Sequence, residues 1–300
     1  MSKPIYVEIV IKAPIDEVWE KSQRPELHER WDARFTSIEY LPRVDGAPQR
    51  FRYATRIGFG MEVRGEGETT GERGLPDGAR SSALKFGSTD PKSLITSGSG
   101  YWKYEPVTDG VRFFTGYDYE TRFGLFGRFL DAALFRPLMG WVTAWSFDRL
   151  RLWIEKGIAP ETSFLRALVH TLARLAVAIA WIYQGLVPKI LFPHTGELEI
   201  FKSTGIYPGQ ELTGVMALGA AQVILGLIHL WAWKSKVPLV IGLISLAVLG
   251  GGGFIARPDL FILPFNPTML VFMMVALTAI DWVCVRDLPT AGRCRRRPPA

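Results

Sequence analysis

The chain has 300 residues, of which 48% are hydrophobic, and a formal net charge of +6 at pH 7. Residues 1–160 contain 23 Lys and Arg against 22 Asp and Glu, whereas residues 161–300 contain 12 against 7. The positive excess flanks long apolar runs, which indicates membrane topology and argues against nucleic-acid binding. Cys284 and Cys294 form no Cys-x-x-Cys pair, so we expect no cysteine metal site and no dithiol chemistry. The sequence has no haem-ligand histidine pair, cysteine cluster or dinucleotide fingerprint, and we expect no bound cofactor.

The first part of the chain has the pattern of an α+β domain. Residues 5–12 alternate apolar and polar side chains as a strand does, and Pro14 begins a helix. Pro25 begins a second short helix that ends near Trp31. Strands are predicted at 35–41, 49–56, 60–70, 80–87, 93–104 and 111–121, followed by a long helix at about 125–156.

This order of elements resembles the START-like (polyketide cyclase/dehydrase-like, SRPBCC) superfamily. The most specific piece is the segment from Val10 to Trp19, with its Ala-Pro-x-x-x-Val-Trp helix start, followed by Pro25 and Trp31. The resemblance covers about residues 3–157. It implies an α+β helix-grip domain, in which an antiparallel sheet surrounds a long C-terminal helix.

A bent sheet wrapped on one helix can enclose an apolar hollow, and the period-two pattern selects the side chains that face it. These positions also fit an ordinary core, where alternating aromatic residues are common. The only histidine of this half, His28, is expected to be exposed, and no catalytic set is assigned. The candidate ligand-binding residues are Trp31, Tyr53, Thr55, Met61, Trp102, Tyr104, Phe113 and Tyr117.

The region 123–147 is unusually apolar for a soluble domain. Arg128, Asp131 and Arg136 would make a membrane span costly there, and Pro137 would interrupt it. We therefore expect one side of this helix to cover the sheet. The other side would rest against a membrane, assisted by Trp141, Trp145 and Trp153.

The second part of the chain contains four apolar runs, each about as long as a transmembrane helix. The positive-inside rule places the soluble domain, the turn at 233–237 and the C-terminal tail in the cytoplasm. The N-terminus has no signal-peptide pattern. We expect a multi-pass protein of the cell inner membrane or plasma membrane, with spans at Leu175–Ile190, Leu212–Trp233, Val237–Ile255 and Pro267–Val285.

This part resembles the DoxX-like family of four-helix membrane proteins over about residues 168–286. The resemblance implies an all-α four-helix transmembrane bundle and a link to membrane redox chemistry with quinones or sulfur species, although many members have no assigned activity. The residues that carry it are Arg174, Trp181, Gly185, Leu186, Lys189, Glu199 and Lys202.

Polar residues inside apolar spans are candidates for function. We expect Gln184 to bond Gln222, and Lys189 to reach the headgroups or pair with Glu197 or Glu199. His229 and Asp281 are expected to pair, as a structural contact rather than a proton relay. The polar candidates of the membrane domain are Gln184, Lys189, Gln222, His229 and Asp281.

The predicted domains are 1–157, START-like and ligand-binding; 158–170, a linker; 171–286, DoxX-like with four spans; and 287–300, a basic cytoplasmic tail. The favoured function is a membrane-anchored protein whose cytosolic domain binds a hydrophobic small molecule (a lipid, quinone or aromatic metabolite) next to the bilayer. The alternatives are a cyclase/dehydratase-type enzyme and a membrane redox component, and we favour a protein that is not an enzyme. A homo-oligomer, a membrane redox partner, and passage of ligand between the domains are left open.

Overall fold

The computed structural model describes residues 3–58, 60–76, 78–194, 196–264 and 266–299. The chain forms two compact units. Unit 1 is Met1–Phe164 together with Pro289–Ala300, and unit 2 is Leu165–Leu288.

Unit 1 is built on an antiparallel sheet of seven strands in the order β1-β7-β6-β5-β4-β3-β2. Two short helices, α1 (Ile15–Gln23) and α2 (Pro25–Trp31), connect β1 to β2. This topology confirms the predicted helix-grip fold. The strands are β1 Ile5–Ile11, β2 Ser37–Tyr40, β3 Gln49–Gly58, β4 Met61–Gly74, β5 Arg80–Gly87, β6 Ile95–Val107 and β7 Gly110–Thr121.

The helical region after β7 is interrupted, whereas the sequence predicted one helix. It consists of α3 (Gly124–Leu130), a π-helical turn (Asp131–Phe135) and α4 (Arg136–Lys156). Pro137 explains where α4 begins, because a proline has no N–H to donate and is tolerated only in the first turn of a helix.

The core of unit 1 lies between the sheet and α4. Val7 and Ile11 of β1 are fully buried with Phe147 and Leu150 of α4. The rings of Phe113 and Phe147 stack with their centroids 4.4 Å apart. This packing fills one end of the space inside the sheet.

The C-terminal segment, predicted to be a separate tail, belongs to unit 1. Glu8 of the edge strand β1 and Arg295 exchange two backbone hydrogen bonds of 2.9 Å. The N–H of Thr290 donates to the buried carboxylate of Asp148 at 2.8 Å, and the thiol of Cys294 donates to the carbonyl of Ala144 at 3.1 Å. The basic composition of this segment predicted a solvent-exposed tail. Its backbone instead forms hydrogen bonds with the edge of the sheet and with a buried carboxylate.

Unit 2 is helical, and four of its described helices are long and apolar enough to cross a membrane. The first begins at Pro160, so most of the predicted linker is helical. The helices are α5 Pro160–Gly185, extended by a π-helical segment Leu186–Leu191, then α6 Glu197–Ser203, α7 Glu211–Trp231, α8 Val237–Ala256 and α9 Pro267–Cys284.

Candidate functional site

Unit 1 contains a cavity of about 540 Å³. Its wall comes from the inner face of the sheet, from the ends of α1 and α2, and from the helical region after β7. Most of the lining is aliphatic or aromatic, with a small number of polar groups. The apolar lining includes Phe35, Ile38, Phe51, Val63, Leu84, Phe86, Ile95, Leu130, Phe135, Leu138, Met139 and Val142.

Four of the eight candidate ligand-binding residues line this cavity, namely Tyr53, Thr55, Trp102 and Tyr117. The other four do not line it. The period-two pattern selects the face of the sheet, but it does not say which part of that face the helices cover.

Tyr104 and Phe113 lie in the filled part of that face. Their rings stack at 4.9 Å, and the ring of Trp19 on α1 lies 5.0 Å from Tyr104. The hydroxyl of Tyr104 is also bonded to Ser22 at 2.7 Å. Helix α1 and helix α4 therefore occupy the space that a ligand would need at these positions.

Trp31 and Met61 miss the cavity for opposite reasons. Trp31 is fully buried behind Trp102, and its indole N–H donates to the carbonyl of Lys21 at 2.9 Å. Met61 begins β4 beside the hairpin that joins it to β3, and it is 46% exposed.

The cavity contains a guanidinium, that of Arg34, which the sequence analysis did not select. Its Nε and Nη2 donate to the two carboxylate oxygens of Asp32 at 2.9 and 2.6 Å. Asp32 is completely buried. Burial alone raises the pKa of Asp32, but attraction and hydrogen bonds from Arg34, aided by His28, hold that pKa well below its ordinary value.

His28 lines the cavity and is mostly buried, whereas the sequence suggested exposure. Its Nε2 lies 2.9 Å from Oδ2 of Asp32. Because a carboxylate accepts, Nε2 is the donor in this contact, and in the matching neutral tautomer Nδ1 has a lone pair. The ring stacks on Trp31 at 5.0 Å and contacts Trp102 edge-on at 4.8 Å. The sequence suggested an exposed position on a short helix, and packing in the folded domain buries the His28 ring against these aromatic side chains.

Two hydroxyls of the cavity are already engaged. The Thr143 hydroxyl donates to the carbonyl of Met139 at 2.7 Å, so the Tyr117 hydroxyl donates to Thr143 at 2.9 Å. Thr55 donates to the carbonyl of Arg34 at 2.6 Å. The guanidinium of Arg34 also lies over the Tyr117 ring, 5.4 Å from its centroid.

Tyr53 contributes a third hydroxyl, which donates to the carbonyl of Gly87 at 3.2 Å. Burial raises the pKa of Tyr53 to about 12. All three hydroxyls therefore act as fixed parts of the wall.

In unit 2, Lys189 is buried and pairs with Glu197 at 3.1 Å, one of the two partners expected for it. Its Nζ also donates to the backbone carbonyl of Gln184 at 3.3 Å. The Oε1 atom of Gln222 is buried without a hydrogen-bond partner among the described residues. The expected bond between Gln184 and Gln222 is therefore not formed through this oxygen.

Asp281 does not pair with His229, as the sequence analysis expected. Its carboxylate lies 2.6 Å from Nδ1 of His170 and 2.7 Å from Nε of Arg174, both on α5. His229 is also fully buried, and its Nδ1 donates to the carbonyl of Leu225 at 2.9 Å. His170 was missed because it is 111 positions from Asp281 in the sequence. No group of three or more metal-binding side chains occurs among the described residues.

Solved structures are similar to part of this chain. A STAR-related lipid transfer protein from Xanthomonas axonopodis is 17% identical, with a TM-score of 0.38 over 50% of this chain and 84% of that one. The di-domain ARO/CYC protein StfQ from the steffimycin biosynthetic pathway is 17% identical, with a TM-score of 0.37 over 51% of each chain.

Sequence comparison identifies a family and a relative for part of the chain. Residues 178–279 match the DoxX-like family, which confirms the resemblance predicted for the second half. The uncharacterized membrane protein YndG from Bacillus subtilis is 47% identical over 199 residues, which are 66% of this chain and 74% of that protein. The chain therefore belongs to the family of YndG, and it is a multi-pass membrane protein with a DoxX-like domain.

Proposed function

We propose that unit 1 binds an apolar small molecule that carries one neutral hydrogen-bond acceptor, such as a carbonyl. The observation that carries this proposal is the cavity of about 540 Å³, whose apolar wall includes the guanidinium of Arg34. The volume is within the range of sites for small molecules, which are mostly apolar with a few polar groups.

The pairing of Arg34 with Asp32 determines which polar group fits. The guanidinium of Arg34 is neutralised by a buried carboxylate. The other two cationic residues of the lining, Arg56 and Lys92, pair with Glu62 and Asp90, so a ligand carboxylate would bring an uncompensated charge into the cavity. Burying such a charge is costly, whereas a neutral carbonyl only needs a donor. Ketones, quinones and esters with an apolar body satisfy both requirements.

The DoxX-like domain would hold this binding domain at a membrane. A ligand that is poorly soluble in water then travels a short distance, at a raised effective concentration. We propose that unit 1 faces the cytoplasm of the cell, because the basic residues that flank the four helices follow the positive-inside rule.

Mass spectrometry of solvent extracts from the purified full-length protein tests this function. We expect a defined apolar compound from the wild type and its loss from Thr55→Trp, which places an indole inside the cavity. Met61→Trp is the matched control, because it adds an indole at an exposed position. Recovery of no compound from the wild type, or of the same amount from both variants, would contradict the proposal.

The His28–Asp32 pair favours a second function, a cyclase/dehydratase-type enzyme. An imidazole oriented by a buried carboxylate can take a proton from a substrate, and the imidazolium that forms then balances the charge of the enolate, to whose oxygen Arg34 can donate a hydrogen bond. His28→Gln would then abolish turnover of an enolisable ketone and leave its binding unchanged. If the protein is only a carrier, wild type and His28→Gln return the ketone equally unaltered.

A further inference from the structure

Residues 123–135, here called the cover segment, form one wall of the cavity. The segment joins β7 to α4 through α3 and the π-helical turn. Leu130, Leu134 and Phe135 line the cavity. The cover segment therefore separates the cavity from whatever contacts the outer side of the segment.

The outer side of the cover segment is apolar and exposed. Leu125, Phe126 and Phe129 are 80%, 69% and 71% exposed, respectively. In an α-helix these three positions lie within an arc of about 100°. They form an apolar patch, larger than the single exposed hydrophobic residues of an ordinary surface.

This patch is held in place by the sheet. At one end, Gly127 approaches so closely that an added Cβ would lie 1.7 Å from the carbonyl oxygen of Arg122. At the other end, the buried carboxylate of Asp131 accepts from the hydroxyl of Tyr119 at 2.7 Å and from Nε of Arg136 at 2.8 Å. The three apolar side chains are thus presented outward by a fixed backbone.

The chemistry of the patch matches a lipid surface. From Phe123 to Leu130 the single charged residue is Arg128, which is exposed, as an interfacial residue near phosphate headgroups would be. A protein interface carries a polar rim and about one hydrogen bond per 100–200 Å², whereas the outer side of α3 offers one charged side chain. The chain's own spans also keep a bilayer within reach of this domain.

We propose that the cover segment inserts Leu125, Phe126 and Phe129 into the bilayer surface. The cover segment then lies between the acyl chains and the cavity. An apolar molecule passes from the bilayer to the cavity along this segment without entering water. This passage rests on the proposed function, whereas the lipid contact does not.

Spin labels test the lipid contact without any ligand. The full-length protein, with Cys284→Ser and with the buried Cys294 retained, is reconstituted in vesicles of phosphatidylcholine and phosphatidylglycerol. A nitroxide is attached at Leu125→Cys or, separately, at Phe129→Cys. Val44→Cys is the matched control, because Val44 is an exposed apolar residue, 68% accessible, in the loop between β2 and β3. Collision rates are measured with oxygen, which partitions into lipid, and with a water-soluble nickel chelate.

We expect labels at 125 and 129 to collide more with oxygen and less with the nickel chelate than the label at 44. Nickel accessibility equal to that at 44 would show that the patch faces water and would overturn the proposal. Low collision rates with both reagents would show a protein contact and would also overturn it. Since no ligand takes part, this result is independent of whether the cavity binds one.

Discussion

At the scale of single residues, the cavity depends on one buried ion pair. Asp32 accepts from four donors, which are the backbone N–H, Nε and Nη2 of Arg34 and Nε2 of His28. A buried pair with its lone pairs satisfied adds little by itself, but the loss of one partner leaves a charge without compensation.

Asp32→Asn should therefore lower the free energy of unfolding by about 3–5 kcal/mol at pH 7, as when other buried pairs are broken. The folded-state pKa of Asp32 is depressed, so its contribution is present above the ordinary value of 3.8 and is lost as the pH falls below it. Because the folded-state pKa lies well below the ordinary value, denaturant titrations from pH 7 to pH 3 should show a difference between wild type and variant that is constant above about pH 5 and shrinks below about pH 4. A constant difference across this range would contradict the assignment.

Arg34→Lys tests the acceptor preference. Lysine keeps the charge that Asp32 requires, but it lacks the planar fork that can serve the carboxylate and a ligand together. We expect a loss of affinity for 2-undecanone of about 10- to 150-fold, since a hydrogen bond to a charged group contributes about 1.5–3 kcal/mol. Affinity for undecane, which has no acceptor, should be unchanged in isothermal titrations. Equal losses for both compounds would indicate a general disturbance of the cavity.

At the scale of elements, β3 and β4 shape the cavity through a glycine. An added Cβ at Gly65 would lie 2.2 Å from the ring of Tyr53, which faces it across the strands. The Tyr53 ring covers the glycine and lines the cavity at the same time. Gly65 of β4 therefore positions an aromatic ring in the cavity wall.

Gly65→Ala should displace the Tyr53 ring and lower the free energy of unfolding by about 1–3 kcal/mol, the usual cost of overpacking. It should also weaken binding of an apolar ketone. Gly71→Ala, on the same strand, is the control because an added Cβ there meets nothing within 4 Å. Chemical denaturation compares the two, and equal stability of both variants would refute this packing.

Local sequence patterns predicted most elements but not their depth in the fold. Strands β1, β3 and β5 lie within two residues of the predicted ranges because alternation is a property of neighbouring residues. The break at 131–135 was missed because it depends on how Asp131 meets Tyr119 and Arg136. Likewise Tyr104 on β6 and Tyr53 on β3 both occupy inward-facing positions of the alternating pattern. Helix α1 packs on Tyr104 and makes it a core residue, whereas Tyr53 lines the cavity.

At the scale of the whole molecule, unit 1 is discontinuous in sequence. Its last part, Pro289–Ala300, follows the four membrane helices and still packs on β1 and α4. The first and last segments of the chain therefore belong to one unit.

A chain that stops after Leu288 should lose stability in unit 1, because the edge of β1 and the carboxylate of Asp148 lose their partners. We expect earlier cleavage of unit 1 in limited proteolysis on heating, with unit 2 unchanged. A chain that stops after Arg296 keeps Thr290, Cys294 and Arg295 and serves as the control. Identical cleavage of the two shortened chains would show that the segment is not needed.

The sequence by itself determined the fold class, the four membrane helices and the DoxX-like family. Strand alternation, turns and apolar runs of bilayer length act over a few neighbouring residues, so they can be read directly. Tertiary structure alone decided which inner-face residues line the cavity, that His28, Asp32 and Arg34 meet there, and that Asp281 pairs with His170 and Arg174. These contacts arise because buried charges must find partners, and the partners are brought close only when distant segments pack together.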